Sequence, residues 1–289
     1  MKLLFTKSKW EAPALSVEAF LDACLRDGFD GTELHLQGLP ETPAEIARLH
    51  AGRRLIMVGQ IVTEGTTPAE HAASLERLYL QACAAGAVFV SSHTGKDFFP
   101  HEENLRIFAK GLELEAAHGI PLVHETHRGR ALFTAHGTAR YLRELPSLAL
   151  TADFSHWFCV HESDLRDQEE SLAAAIAATR HVHARVGFGE GPQVAQPAAP
   201  GFSGWLDRHV GLWRRIVAAR GLSGAPMLTI TPEAGPPPYM PVDPATGSPL
   251  ADAWAVNVWM KRYLAGILAE SGPDPAPTPP APARSTFST

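Results

Sequence analysis

Cysteine is scarce in this sequence, which has only three in 289 residues. Cys24, Cys83 and Cys159 lie far apart and form no CxxC pair. An odd and scattered set of this kind indicates neither a disulfide framework nor a zinc site built from thiolates. Ligands for a metal ion are therefore sought among the acidic and histidine side chains.

The chain also lacks a long apolar run. The apolar stretch in the segment Met1–Lys7 is too short for the core of a signal peptide. No other stretch approaches the length needed to span a bilayer. We therefore expect a cytoplasmic protein without membrane contact.

Positive charge is not in excess. The 25 lysines and arginines are outnumbered by 31 acidic residues, which gives a net charge of −6 and a pI of about 6.1. A dedicated nucleic-acid-binding protein would usually be basic, so no nucleic-acid partner is expected. The hydrophobic content of 45% and the charged content of 19% are typical of a globular protein with a sizeable core.

A strand followed by a helix is the recurrent pattern, and it occurs eight times along the sequence. Most of the strands are continuously apolar rather than alternating, which is typical of a parallel sheet buried on both faces. This α/β pattern predicts a single (β/α)8 TIM barrel over residues 1–270. The predicted strands are Lys2–Thr6, Gly31–Leu36, Arg54–Ile61, Ala87–Ser92, Ile120–Glu125, Leu148–Asp153, Arg180–Ala184 and Met227–Thr231.

Several segments between and after the strands carry their own signals. Thr42-Pro43-Ala44-Glu45 and Thr67-Pro68-Ala69-Glu70 are two copies of one capping box, and each predicts a helix start. The long Gly- and Pro-rich connection Arg185–Ser203 predicts a lid or a substrate loop. The tail Ser271–Thr289 is rich in Pro, Ala, Ser and Thr, and its composition predicts disorder.

Four side chains of the metal-binding type end or follow the last four predicted strands. They are Glu125, Asp153, His183 and Glu233. A TIM barrel builds its active site at the carboxyl ends of its strands, where these residues would meet. Two Glu, one Asp and one His make a reasonable mixed oxygen and nitrogen site for a divalent cation.

Three of these residues also have a simpler interpretation. Glu125 would otherwise form an ion pair with Arg128 or Arg130, Asp153 would cap a helix, and Glu233 would be a surface residue of a Pro-rich loop. His181 and His183 share one face of the predicted strand. We choose His183 as the ligand because it is nearer the carboxyl end, and expect His181 to lie deeper as a structural group.

The substrate-binding candidates lie close to the predicted ligands along the sequence. His156 follows Asp153 by three residues, and Arg185 shares the face of His183 if the strand continues. His93 and His127 follow the fourth and fifth strands, where a solvated loop position is the alternative. Further residues placed near the mouth of the barrel are Glu33, His35 and Gln60, and Trp10 is a candidate apolar wall for a sugar ring.

These residues resemble the xylose isomerase-like TIM-barrel superfamily, in particular its sugar phosphate isomerase/epimerase group, which is related to the apurinic endonuclease class. The resemblance covers residues 1–270, and its specific part is Glu125, Asp153-x-x-His156, His181-x-His183 and Glu233. In that order they look like the metal site of ketose 3-epimerases. The resemblance implies that Glu125 and Glu233 are both metal ligands and the catalytic acid–base pair. It also implies that His156 contacts the substrate.

The implied function is a divalent-metal-dependent isomerase or epimerase that acts by proton transfer on a sugar, sugar derivative or polyol. One divalent ion is implied, with Mn²⁺ expected and Mg²⁺, Co²⁺ or Zn²⁺ left open. The open alternatives are dehydration of a keto-cyclitol, apurinic endonuclease-like hydrolysis of a phosphodiester, and a sugar-binding barrel without catalysis. The endonuclease class uses three zinc ions with further His ligands. In this chain the third predicted strand ends near Gln60 and not near a His. A homo-oligomer is compatible with the sequence.

Overall fold

The computed structural model describes residues 1–269, and these residues form a closed barrel of eight parallel strands. Each strand pairs with its neighbour in chain order, and the last strand pairs with the first through Lys2–Met227 and the following residues. The predicted (β/α)8 barrel is therefore confirmed. The strands are β1 Lys2–Ser8, β2 Gly31–His35, β3 Ile56–Val62, β4 Phe89–His93, β5 Leu122–Glu125, β6 Ala149–Ala152, β7 Thr179–Ala184 and β8 Met227–Pro232.

Helices connect the strands, with two of them between β6 and β7. Within residues 1–269, no helix has the length and apolar character needed to cross a membrane. The tail Ser271–Thr289, for which disorder was predicted, lies outside the described residues. The helices are α1 Val17–Arg26, α2 Pro43–Arg53, α3 Pro68–Ala84, α4 His101–His118, α5 Ala135–Glu144, α6 Phe154–His161, α7 Glu169–Ala178, α8 Ser203–Leu222 and α9 Ala253–Ala269, with 3₁₀ turns at Lys9–Glu11 and Pro200–Phe202.

The inward face of the barrel is built in layers. Residues two apart on a strand share a face, so Phe89, Ser91 and His93 form one column on β4. On β6 the corresponding column is Ala149 and Thr151. At the bottom, Phe89 and Ala149 belong to one small buried apolar cluster. One layer up, the hydroxyls of Ser91 and Thr151 hydrogen-bond at 2.8 Å. The predicted metal ligands come at the top, above an apolar and a hydroxyl layer, whereas His181 lies deeper, with its ring centre 5.1 Å from that of Phe89.

Both predicted capping boxes are present. At the start of α2, the Thr42 hydroxyl accepts the Glu45 backbone N–H at 3.3 Å, and the Glu45 carboxylate accepts the Thr42 backbone N–H at 2.8 Å. At the start of α3, Thr67 and Glu70 make the same reciprocal pair. The two boxes satisfy backbone donors that a helix start leaves without an intrahelical partner. The helix starts predicted from these motifs are therefore confirmed.

Replacing Thr42 by Ala should lower the free energy of unfolding by about 1 kcal/mol, because one backbone donor of α2 loses its acceptor. Urea unfolding of the full chain measures this change. Thr42→Ser keeps the hydroxyl and should stay close to the wild type. Equal stability of the Ala and wild-type proteins would show that the hydroxyl contributes nothing to the helix start.

Candidate metal centre

The four side chains predicted as metal ligands come together at the carboxyl end of the barrel. Glu125 is the last residue of β5, Asp153 follows β6, His183 lies in β7, and Glu233 follows β8. All four are buried, and one ligand atom from each lies within 4.8 Å of the others. The closure of the sheet places these strand ends around one point. Their role as ligands remains a prediction.

His183 lies at the middle of this group. Its Nδ1 is 3.0 Å from Glu233 Oε2 and 3.4 Å from Glu125 Oε1. Burial disfavours the charged imidazolium, but the surrounding carboxylates of Glu233, Glu33 and Glu125 raise the pKa of His183 well above its ordinary value. Nδ1 is therefore the nitrogen that faces the candidate centre, either protonated between carboxylates or free to bind a cation.

The other nitrogen of His183 is held by a residue that was expected only at the barrel mouth. Glu33, on β2, is fully buried, and its two carboxylate oxygens lie 3.0 and 3.1 Å from His183 Nε2. Glu33 also accepts a 2.8 Å hydrogen bond from the Thr231 hydroxyl, and His181 lies beside it at 3.4 Å. Burial alone would raise the pKa of Glu33, but His183 and His181 hold it well below its ordinary value. A carboxylate on the far nitrogen of a metal-binding His is a common way to orient the ring.

Glu125 makes no ion pair with the arginines that follow it, within the part of the chain that is described. Its Oε2 contacts His93 Nε2, but neither carboxylate oxygen has a hydrogen bond of good geometry. Burial opposes ionisation, yet His93 and His183 hold the pKa of Glu125 well below its ordinary value. Arg130, the alternative partner, donates instead to the carbonyls of Thr63 and Gly95.

Asp153 does cap a helix, and it faces the candidate centre as well. Its Oδ1 accepts the Ser155 backbone N–H at 3.0 Å at the start of α6, while Oδ2 contacts Arg185 Nη2. The same Nη2 donates to Glu233 Oε2 at 3.1 Å and lies 3.1 Å from His156 Nε2. Burial raises the pKa of Asp153, although the Arg185 guanidinium opposes the rise. Arg185 is thus the one arginine that contacts this group of ligands in residues 1–269.

A cavity of about 540 Å³ opens above these residues, which is within the usual size range for a small-molecule site. Of the predicted substrate contacts, Arg185, His93 and His127 line it. His156 does not, because it is fully buried behind the cavity wall with its ring 3.9 Å from that of His127. The lining residues are Lys9, Trp10, Pro13, His35, Gln37, Gly38, Leu39, Gln60, Val62, His93, Glu125, His127, Arg185, Glu233 and Tyr239.

Several of the lining residues were not among those predicted from the sequence, and the polar ones with the clearest contacts are Lys9 and Tyr239. Tyr239 follows the Pro-rich segment after β8, and its hydroxyl lies 3.3 Å from His127 Nε2. Its ring packs edge-on against Trp10 at 5.1 Å and lies 4.8 Å from the Arg185 guanidinium. The only available signal was an aromatic residue shortly after a strand end, which is too common to be specific.

Two side-chain amides fix the loop that carries Glu233. Asn257 of α9 accepts the Ala234 N–H at 2.7 Å and donates to the Ala234 carbonyl at 2.9 Å. Gln193 does the same for Gly235, accepting at 2.7 Å and donating at 3.0 Å. Gln193 belongs to the long connection predicted as a lid or substrate loop, of which only Arg185 lines the cavity within the described residues. The connection therefore supports the loop of Glu233 from behind.

Gly235 has a second constraint, from Trp10. A Cβ on residue 235 would lie 1.9 Å from an atom of the Trp10 ring, closer than any real contact. Only glycine permits the indole to pack on this backbone, so the wall of the cavity and the position of Glu233 depend on each other.

The residues present fit a divalent cation. Both oxygens of Glu125 and Nδ1 of His183 are buried without a hydrogen-bond partner, and they point into the same group. Three carboxylates and one imidazole are ligands that Mn²⁺, Mg²⁺ and related ions accept. The buried negative charge also exceeds what Arg185 alone neutralises, which favours an added cation.

No protein-family model matches the chain, and a sequence search finds no match among curated proteins. Solved structures do match. A xylose isomerase domain containing protein from Salmonella typhimurium LT2 aligns with a TM-score of 0.61 at 18% identity, covering 92% of this chain and 97% of the other. The chain has the fold of the xylose isomerase-like TIM-barrel proteins. The resemblance inferred from the strand-end residues is confirmed at that level.

Two further structures show how widely this fold is used. D-allulose 3-epimerase from Methylomonas sp., in complex with D-allulose, aligns with a TM-score of 0.62 at 15% identity over 92% of this chain and 97% of its own. Endonuclease IV from Thermus thermophilus aligns with a TM-score of 0.59 at 16% identity over 91% and 99%. Identities this low show the fold alone.

Gln193→Ala should lower the free energy of unfolding by about 1–3 kcal/mol, because a buried N–H and a buried carbonyl of Gly235 both lose their partner. Gln196→Ala, an exposed glutamine of the same connection, is the matched control and should change stability by less than about 0.5 kcal/mol. Urea unfolding measures both variants. Similar stability of the two variants would show that the amide does not hold the loop.

Proposed function

We propose that this protein is a divalent-metal-dependent isomerase or epimerase that transfers a proton at a carbon next to the carbonyl of a sugar, sugar derivative or polyol. The observation that carries the proposal is the pair Glu125 and Glu233. Both are buried carboxylates, both line the cavity, and both approach His183 Nδ1. Two such groups facing one bound molecule suit removal and return of a proton.

Glu125, Asp153, His183 and Glu233 would hold one divalent ion, for which Mn²⁺ is the expected choice and Mg²⁺, Co²⁺ or Zn²⁺ are alternatives. When bound, the cation supplies Lewis-acid chemistry, polarising the substrate carbonyl and stabilising the negative charge that develops as the proton leaves. Glu33 keeps the His183 ring turned so that Nδ1 faces this point. Of the carboxylate oxygens of Glu125, Oε1 faces His183 Nδ1 at 3.4 Å and Oε2 contacts His93 Nε2.

The two glutamates then divide the proton transfer. The carboxylate of one takes the α-proton from the substrate, and the protonated form of the other gives its proton to the opposite face of the same carbon in an epimerisation, so the two glutamates exchange protonation states. In an isomerisation the proton goes to the neighbouring carbon instead, and a hydroxyl proton passes to the former carbonyl oxygen. His93 and His183 hold the pKa of Glu125 well below its ordinary value despite its burial, which keeps this side chain in the ionised form that proton abstraction requires.

The remaining lining residues bind and orient the substrate. Arg185 lines the cavity, and its guanidinium is held there by Asp153 and Glu233. His93 and His127 line the cavity with Glu125, and Trp10 and Tyr239 supply apolar surface against which a sugar ring can pack. A D-allulose complex on the same fold supports a sugar as the ligand class.

Solvent deuterium exchange tests the proposal. Incubating the full chain in D₂O with a panel of ketoses and aldoses should give metal-dependent exchange at a carbon next to the carbonyl of at least one sugar. Glu233→Gln should reduce that exchange about 100-fold or more, because the variant loses one proton carrier and one ligand. Glu113→Gln, on the exposed face of α4, is the matched control and should exchange like the wild type.

Three outcomes would contradict the proposal. Exchange that is equal with and without Mn²⁺ would show that the metal takes no part in the reaction. An active Glu233→Gln variant would show that Glu125 and Glu233 are not the acid–base pair. Failure to exchange any sugar, together with loss of water from a keto-cyclitol or incision of abasic DNA, would assign the site to a dehydratase or a phosphodiester hydrolase instead.

A further inference from the structure

One cation in the cavity wall has no role in the proposed proton transfer. Lys9 lies directly after β1, in the first 3₁₀ turn, and it lines the cavity although it is only 7% exposed. The wall around it comes from the first two βα connections and includes Trp10, Pro13 and Leu39. The candidate metal ligands come from β5 to β8, and within residues 1–269 Lys9 contacts none of them. Lys9 therefore lies in a part of the cavity wall separate from the candidate metal ligands.

The charge of Lys9 has little compensation from the protein. Its Nζ, which carries three donor hydrogens, makes one long hydrogen bond of 3.4 Å to the Ala12 carbonyl. In the described part of the chain no carboxylate lies within ion-pair distance of it, and Glu41 acts on it only from farther away. A buried ammonium without a close counterion is unfavourable unless something else supplies the negative charge.

The neighbouring buried lysine shows what compensation looks like in this fold. Lys7, two residues earlier on β1, is fully buried, lies 2.6 Å from Glu11, and is 4.0 Å from the centre of the Trp254 ring. Its charge is therefore neutralised inside the protein. Lys9 has no such partner and opens onto the cavity, so a structural explanation of the kind that accounts for Lys7 does not hold for Lys9.

The pKa of Lys9 agrees with this difference. Burial lowers the pKa of its ammonium from the ordinary lysine value, and Glu41 offsets only part of the change. An anion bound against Nζ would reverse the effect of burial by favouring the charged form.

The other charged side chains that line the cavity are engaged with one another. Lys9 is therefore the cationic side chain that can pair with a charged group of a ligand. Arg185 contacts the carboxylates of Asp153 and Glu233, and Glu125 and Glu233 belong to the candidate metal group. We propose that Lys9 binds an anionic substituent of the substrate, a carboxylate or a phosphate, at a position other than the reacting carbons. The substrate class is then an acidic or phosphorylated sugar or polyol, an inference that rests on the proposed function for the chemistry at the other end.

Binding measurements on the metal-loaded protein test this inference without relying on turnover. Two matched pairs of probes are D-fructose with D-fructose 6-phosphate, and D-glucose with D-glucuronate. Isothermal titration should show that at least one anionic probe binds about tenfold or more tightly than its neutral partner, as expected for a hydrogen bond between charged groups. The pair that shows the preference distinguishes a phosphate from a carboxylate.

Variants at Lys9 assign the preference to this side chain. Lys9→Met should remove the preference for the anion while leaving the affinity for the neutral probe unchanged, and Lys9→Arg should keep it because the charge remains. Lys110→Met is the control, since Lys110 lies on α4 and pairs with Glu76. Thermal unfolding of each variant verifies that it is folded.

The inference is overturned if the wild type shows no preference for either anion, including the case in which neither anion binds. It is also overturned if Lys9→Met weakens the binding of the neutral and anionic probes equally or changes neither affinity. These outcomes are independent of the proposed function, which is judged by metal-dependent exchange and by Glu233→Gln. That variant should lose exchange and still prefer the anion.

Discussion

The concentration of buried negative charge at one end of the barrel is the constraint on which the rest of the site depends. The carboxylates of Glu33, Glu125, Asp153 and Glu233 are each at most 3% exposed, and all lie around the His183 ring or the Arg185 guanidinium. Charges taken out of water at such short separations repel strongly unless cations lie among them. Arg185 and a protonated His183 supply part of that compensation, and a divalent ion in the same place would supply more.

The layered interior of the barrel makes this arrangement physically tolerable. Apolar residues fill the bottom layer, and hydroxyls such as Ser91 and Thr151 bond to each other in the middle. The charged layer therefore meets polar groups below it and the cavity above it. Contacts across the barrel complete the layer, as in the pair formed by Glu33 of β2 and His183 of β7.

Segments far apart in the sequence hold the working face of the site in place. The amino-terminal turn contributes Trp10 and Lys9 to the cavity wall, and α9 contributes Asn257 to the backbone beside Glu233. The connection after β7 contributes Gln193, and the indole of Trp10 packs on Gly235. Residues from both ends of the described chain thus hold the single loop that carries Glu233. This is expected for a functional group that needs rigid support.

The sequence by itself determined the features that depend on local patterns. Continuous apolar runs predicted most of the strands, and the strand–helix repeat placed the least apolar one, Arg180–Ala184. The capping boxes predicted two helix starts, and the strand ends identified Glu125, Asp153, His183 and Glu233 as a group. Only the tertiary structure revealed that Glu33 orients His183, that Asn257 and Gln193 hold the loop of Glu233, that His156 lies behind the cavity wall, and that Lys9 lines the cavity without a counterion. The physical reason is that strand and helix periodicity is encoded within a few residues. Hydrogen-bond partners, burial and uncompensated charge instead depend on which distant segments the closed barrel brings together.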